Sequence, residues 1–183
     1  MHLLLHICCA PCTIFPLKTL RNSGVRITGY FYNPNIHPFK EYQKRKETLE
    51  GYAQSQGLEV LYCDRYDLEN FLEKTSPWDS GRCRMCYRIR LEDVAREASS
   101  RKMEAFSTTL LYSRYQKHDW IREAGQEMGE RYHINFFYQD FRTGWQDGIE
   151  ESKALGLYRQ PYCGCIFSEK ERYAPKQRLR PKV

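Results

Sequence analysis

Seven of the eight cysteines fall in three tight groups: Cys8, Cys9 and Cys12 in HICCAPC, Cys83 and Cys86 in GRCRMC, and Cys163 and Cys165 in YCGC. Thiols at such spacings grip soft metals or pass electrons. A disulfide between the neighbours Cys8 and Cys9 would close a strained ring outside the usual Cα separation, so ligation by thiolate is their natural use. A C-x-x-C clip opening a helix turns both sulfurs to one side, where the helix N-terminus stabilises thiolate charge. Alone, Cys83 and Cys86 are open among zinc, a cluster and a redox dithiol. With Cys8 and Cys9 they make four thiolates from two segments, enough for a [4Fe–4S] cluster or a structural Cys₄ zinc. Zinc more often takes paired short clips than adjacent cysteines, so the spacing favours iron–sulfur, although neither ferredoxin pattern is followed.

Three clustered thiols remain: Cys12, Cys163 and Cys165. The C-x-C pair sits close enough to bridge reversibly or to hold one metal; the bland alternative is a turn with two idle cysteines. Cys63 stands alone at the end of an apolar run and reads as a small core residue. Asp64 and Asp67 are candidates for a second metal or a proton donor, with helix capping as the competing use of Asp67. His37 follows Asn33-Pro34-Asn35, where a polar cluster at a strand end points to function, whereas His6 reads equally as a core residue. His118 and His133 carry no distinguishing signal.

The elements that must position these groups alternate. Apolar or β-rich runs at Leu3–Ile7, Arg26–Tyr32, Leu58–Cys63, Glu104–Leu110 and Ile134–Tyr138 predict five strands. Helical patterns fall between or after them at Thr13–Asn22, Phe39–Gln56, Cys86–Arg101, Tyr115–Arg131 and Gln146–Leu155. Such alternation predicts a Rossmann-like α/β domain with a mostly parallel sheet, its site beyond the carboxyl ends of the strands. Cys8, Cys9, Asn33, Asn35, His37, Asp64 and Ser113 would then converge there. No repeat or interior linker divides the chain, so residues 1–183 read as one domain.

At 183 residues, with 41% hydrophobic and 28% charged residues, the chain can bury a full core without disulfide staples. Leu3–Ile7 is too short for the apolar core of a signal peptide, and no run approaches the roughly 20 residues of a membrane span. Reduced thiols in a cytoplasmic setting, with no membrane partner, are expected. The net charge of +6 is uneven. The tail 170–183 carries Lys170, Arg172, Lys176, Arg178, Arg180 and Lys182 against Glu171, and Arg82, Arg84, Arg88 and Arg90 surround the C-x-x-C. With 14 tyrosines, both stretches suggest a surface for a phosphate backbone and stacked bases, or else a solvated face and a frayed end.

Taken in order, HICCAPC, YNPNIHP, CRMCYRIRLE, FSTTLLYSRYQ and DFRTGW…YRQPYCGCIFSE make the chain resemble the QueH family of epoxyqueuosine reductases over nearly its whole length. Arg114 stands where the family pattern leads one to expect proline, which bears on loop shape rather than chemistry. The resemblance implies a HUP-class fold, no cobalamin, and reductive removal of the epoxide oxygen from the modified wobble nucleoside of tRNA, leaving an alkene and water. It implies a [4Fe–4S] cluster on Cys8, Cys9, Cys83 and Cys86, and a redox-active pair at Cys163 and Cys165. Losing an epoxide oxygen takes two electrons, whereas one such cluster moves one at a time. A second element is therefore expected: the C-x-C pair, or a mononuclear iron at Cys12 and Asp64 polarising the oxygen. An external electron donor must resupply the site.

An everted base needs aromatic and polar contacts, for which Tyr32, Tyr112, Tyr115, Trp145, Asn33, Asn35, His37 and Arg142 are the candidates, with Arg178 and Arg180 on the backbone. Two other readings compete. An ATP-using tRNA-modifying enzyme of the same fold class would need a Gly/Ser-rich phosphate loop where this chain has Cys-Cys-Ala-Pro-Cys. A zinc-thiolate RNA-binding module would be colourless.

Overall fold

A run of leucines fixes the centre of the molecule. The computed structural model describes residues 1–76 and 81–175, and in it Leu3, Leu4 and Leu5 of strand β1 (His2–His6) are wholly buried. A strand covered on both faces reads as a continuous apolar run rather than an alternating one. Strands β2 (Arg26–Phe31), β3 (Val60–Tyr62), β4 (Ala105–Thr108) and β5 (Asn135–Phe136) join β1 in one sheet of order β3-β2-β1-β4-β5. Every pairing is parallel: Leu4 lies opposite Thr28 on one side and Phe106 on the other. The chain winds outward from β1 through β2 to β3, then crosses back to place β4 on the far side of β1. The carboxyl ends of β1 and β4 therefore part around a crevice at the switch point.

Helices α1 (Ala10–Asn22) and α2 (Phe39–Ser55) pack on one another, as do α4 (Arg82–Ser100) and α5 (His118–Arg131), with α3 (Leu68–Thr75) against α4. Helix α6 (Trp145–Ala154) lies on α1, and α7 (Ile166–Tyr173) follows the C-x-C segment. Right-handed crossovers set the α1/α2 and α4/α5 pairs on opposite faces of the sheet. No helix among the described residues is long and apolar enough to cross a membrane.

The five expected strands and five expected helices are all present, with shifted ends. The fourth strand stops at Thr108, because its hydroxyl accepts the Leu110 N–H at 3.1 Å and turns the chain into a single 3₁₀ turn, Thr109–Tyr112. The first helix begins at Ala10, with Pro11 in its first turn, where a missing N–H costs nothing. Helices α3 and α7, eight residues each, were not predicted; neither carries a stripe long enough to register against its polar flanks. Asp67 occupies the residue before α3 but accepts from Asn70 Nδ2 at 2.8 Å rather than from the backbone. Arg178 and Arg180 lie outside the described residues.

Helix α5 reaches β5 closely because two glycines one turn apart face the strand. A Cβ on Gly129 would stand 2.9 Å from the Ile134 carbonyl oxygen, and one on Gly125 would stand 2.3 Å from the Phe136 ring. Backbone cannot yield as a side-chain tip can. Gly129→Ala should therefore lose about 1–3 kcal/mol, as overpacking does, with Tm falling by roughly 2–4 °C per kcal/mol. Gly51, in the exposed middle of α2 with open space around it, should behave oppositely: Gly51→Ala gains up to about 1 kcal/mol in helix propensity. Thermal melts of the two variants check the contrast.

Candidate active site

The carboxyl end of β1 delivers Cys8 directly into the crevice, and the N-cap and first turn of α1 add Cys9 and Cys12. Their three sulfurs lie within 4.8 Å of one another, with Cys8 Sγ 3.8 Å from Cys9 Sγ. Thr109, just past β4, anchors the group from the other side of the switch point: its hydroxyl accepts the Cys8 N–H at 3.1 Å and lies 3.4 Å from Cys8 Sγ. The environment separates the three thiols. Hydrogen bonds from Cys12 and Cys9, with Thr109, pull Cys8 well below the ordinary thiol range despite its burial. Burial pushes Cys9 up to about 12, and hydrogen bonding to Cys8 and Cys9, with burial, raises Cys12 as well. Cys8 is thus the readiest of the three to give up its proton, and a bound cation would displace the others as well.

Cys83 and Cys86 project from the first two turns of α4 into a crevice of ≈ 20 Å³, whose walls also include Cys163 and Cys165. Burial raises Cys86 to about 12, with the nearby Arg90 acting to lower it. A larger cavity of ≈ 560 Å³ adjoins the crevice and is lined by Cys8, Cys12 and Cys163; Asn35, Arg90, Gln116 and Cys163 border both spaces. Cys163 thus sits at their junction, where Gln116 Nε2 donates to its sulfur at 3.3 Å.

Two arginines are buried in this sulfur-rich region. Arg90 is 1% exposed; its Nε donates to the Cys86 carbonyl at 3.3 Å while Nη2 has no partner, and its charge acts on Cys86, Cys163 and Cys8. Arg45, 2% exposed, donates from Nε to Glu41 at 2.7 Å, from Nη1 to the Cys163 carbonyl at 2.9 Å and from Nη2 to the Tyr162 carbonyl at 3.2 Å. That fork ties the C-x-C segment to α2. Gly164, at φ 138°, lets the segment pass: a Cβ there would stand 3.2 Å from Arg45 Nη1. Gln160, on the same segment, donates to Cys9 Sγ at 3.0 Å.

The expected site residues divide. Asn33 and Asn35 are buried, line the cavity and leave their Oδ1 atoms unpartnered, although Asn33 Nδ2 donates to the Ile7 carbonyl at 2.8 Å. Tyr112, Ser113, Tyr115 and Trp145 also line it. His37 does not: its N–H donates to Gly164 O at 2.8 Å, its carbonyl accepts from the Tyr162 hydroxyl, and its ring meets Pro34 O at 3.0 Å and the Ile166 N–H at 3.3 Å. It is a clasp for the C-terminal segment. Asp64 is exposed and committed to Lys46 at 2.5 Å and to the Tyr42 hydroxyl at 3.1 Å, outside both spaces. Tyr32 and Arg142 line neither space; Arg142 is closed on Asp140 by two side-chain bonds. His6 is a neutral core residue between Thr108 and the Tyr32 carbonyl, its pKa lowered to about 4 by burial.

The basic stretch on α4 meets carboxylates from other helices. Arg82 is paired with Glu171, Arg84 with Glu123 at 3.1 Å and Arg88 with Glu127 at 2.5 Å, while Arg90 faces the thiols. It is not a strip of unpaired charge waiting for phosphate. Arg45, Gln116 and Gln160 went unnoticed in the sequence. For Arg45 a signal existed: it shares a 3–4 residue spacing with Tyr42, Leu49 and Tyr52, a cation inside an apolar stripe.

Comparison with known proteins agrees along the chain. The profile of the family described as epoxyqueuosine reductase QueH matches residues 3–171. Proteins described as epoxyqueuosine reductase QueH include one from Dehalococcoides mccartyi, 37% identical over 171 residues covering 93% of this chain and 94% of that one. Another, from Thermotoga maritima, is 39% identical over 179 residues, covering 92% and 91%. A solved structure described as a predicted subunit of a tRNA methyltransferase, from Methanocaldococcus jannaschii, shares the fold with a TM-score of 0.51 at 15% identity, over 82% of this chain and 74% of that one.

Replacing Arg45 tests how the C-terminal segment is held. Arg45→Met keeps the apolar stem but leaves Glu41 and two carbonyls without their donor, and removing one partner of a buried pair costs about 3–5 kcal/mol. Urea denaturation should show that loss. Hydrogen exchange should show faster exchange at the His37 amide and across 162–166 than in the sheet; retained protection there would mean that the His37 clasp alone suffices.

Proposed function

The chain belongs to the epoxyqueuosine reductase QueH family, and from that premise we propose that it removes the epoxide oxygen of epoxyqueuosine at the tRNA wobble position, giving queuosine. It is an oxidoreductase of tRNA modification. The single observation that carries the detailed reading is the convergence of six thiols and two buried guanidiniums on one nucleoside-sized cavity and its annex.

An anionic metal group fits this region. Arg90 is fully charged and buried with an unpartnered Nη2, a costly arrangement unless anions face it. Cys8, Cys9, Cys83 and Cys86 would hold a [4Fe–4S] cluster, which supplies electrons to the site one at a time. Cys12, whose sulfur lies within 4.8 Å of those of Cys8 and Cys9, remains as a ligand for an additional mononuclear iron, whereas Asp64, with its carboxylate on Lys46, has no part in this reading.

Reduction of the epoxide to an alkene and water consumes two electrons and two protons. Conversion of the Cys163 and Cys165 thiols to a disulfide releases the same number of each, and an external donor would return them. Cys163 stands on the cavity wall, where this exchange would have to occur. The Asn33 and Asn35 carboxamides offer acceptors to the hydroxylated, amine-linked ring of the substrate, and Tyr112, Tyr115 and Trp145 offer faces to its base. A tRNA substrate and reduced thiols suit a cytoplasmic setting.

Anaerobic reconstitution should give about four irons and four sulfides per chain, beyond any mononuclear iron, and the loaded protein should convert epoxyqueuosine to queuosine in tRNA, read by mass spectrometry of the digested nucleosides. Cys83→Ala should abolish the visible thiolate-to-iron absorption. Cys163→Ser or Cys165→Ser should keep most of it while losing nearly all reduction. A colourless, zinc-only protein would overturn the iron–sulfur reading, and full turnover in both serine variants would remove the thiol pair from the mechanism.

A further inference from the structure

Resting on the tRNA reading above, the geometry points to Arg159 and Arg172 as the phosphate clamp of the substrate, gripping the RNA backbone where it passes the cavity mouth.

Both residues line the ≈ 560 Å³ cavity and both are exposed. Neither has an ion pair or hydrogen bond among the described residues. Three arginines of α4 near the C-x-x-C differ on that point: Arg82, Arg84 and Arg88 each face a glutamate. An arginine already paired with a carboxylate brings little net charge to a phosphate; an unpaired one brings a whole charge and a planar fork that matches two phosphate oxygens. The cavity wall contains one carboxylate, Glu171, and Arg82 engages it. The mouth is therefore cationic.

The layout of the cavity gives the clamp its place. The buried Asn33 and Asn35 leave acceptor atoms unpartnered, and these polar side chains call for a ligand that brings donors. Toward solvent stands Tyr115, 84% exposed, its ring edge-on to Trp145 at 5.5 Å. An open aromatic of this kind takes an unstacked base. A nucleoside that enters such a cavity leaves its ribose–phosphate at the rim, since a phosphate costs most to desolvate. Arg159, on the segment leading to Gln160, and Arg172, on α7, are the unpaired arginines lining the cavity at that rim.

The test is fluorescence anisotropy of the full, reconstituted protein with a synthetic anticodon stem–loop RNA carrying guanine at the wobble position, measured across a salt series. The double variant Arg159→Gln/Arg172→Gln should flatten the slope of log K against log salt by about 1.4–1.8, since each phosphate contact contributes about 0.7–0.9. Lys102→Gln, at the amino end of β4, should leave the slope unchanged. With epoxyqueuosine-bearing tRNA, the double variant should raise KM while kcat changes little, because the clamp holds the backbone and not the reacting atoms. An unchanged slope in the double variant overturns the clamp. If Arg84→Gln/Arg88→Gln flattens the slope instead, the RNA docks on α4. If the wild-type protein binds no RNA at low salt, the tRNA reading falls together with the clamp, so the two failures are told apart by the wild-type titration.

Discussion

Two permanently charged guanidiniums inside a sulfur-lined crevice are the constraint on which the rest of this structure depends. Arginine does not escape burial by losing its proton, so Arg45 and Arg90 must be matched by acceptors or anions wherever they lie. Arg45 is matched within the protein, by Glu41 and two backbone carbonyls. Arg90 is not: one carbonyl at 3.3 Å and the Tyr87 ring are its neighbours, with three thiols within reach of its charge. The difference assigns them different tasks. Arg45 builds the site by fixing a segment in place, and Arg90 would face the charge that the thiols would acquire on ligating a metal.

The fold brings these parts together by its one reversal. Because β4 returns beside β1 on the side away from β2, the loops after β1, β2 and β4 meet at the switch point. They deliver the Cys8–Cys9–Cys12 group, the Asn33–Asn35 turn and the Thr109–Ser113 turn. Those loops supply only one side of the site. The other comes from a segment more than a hundred residues downstream, held by α2 and His37 through Arg45, Gly164 and Tyr162. Glu41 joins the same clasp twice, pairing Arg45 and accepting from the Tyr158 hydroxyl at 2.6 Å. The C-x-C pair owes its position to this long-range clasp and not to the sheet.

That division also explains what was legible in the sequence. The strand–helix alternation and the cysteine groups are local patterns of residue type and spacing, so the parallel sheet and the thiols at its carboxyl edge could be read directly. Pairing cannot be read in that way. Arg82, Arg84 and Arg88 look like a basic strip because their glutamates lie on α5 and α7, far off in sequence. His37 and Asp64 stand at strand ends as active-site residues do, yet tertiary contacts claim both, one for the clasp and one for Lys46. Conversely, Arg45 was hidden in plain view, since a charged residue in an apolar helical stripe is more readily passed over than explained.

The sharing of walls between the two spaces carries the argument one step further. Asn35, Arg90, Gln116 and Cys163 each border both the thiol crevice and the large cavity. Any ligand that fills the cavity to Asn35 would therefore change the surroundings of both Cys163 and Arg90. Electrostatic interactions strengthen as water leaves, so a ligand there would strengthen the influence of Arg90 on Cys8, Cys86 and Cys163. The sulfur-bearing residue on the wall of the large cavity, Cys163, also borders the crevice of Cys83 and Cys86. The two spaces thus meet at one residue, held at its sulfur by Gln116 and at its carbonyl by Arg45.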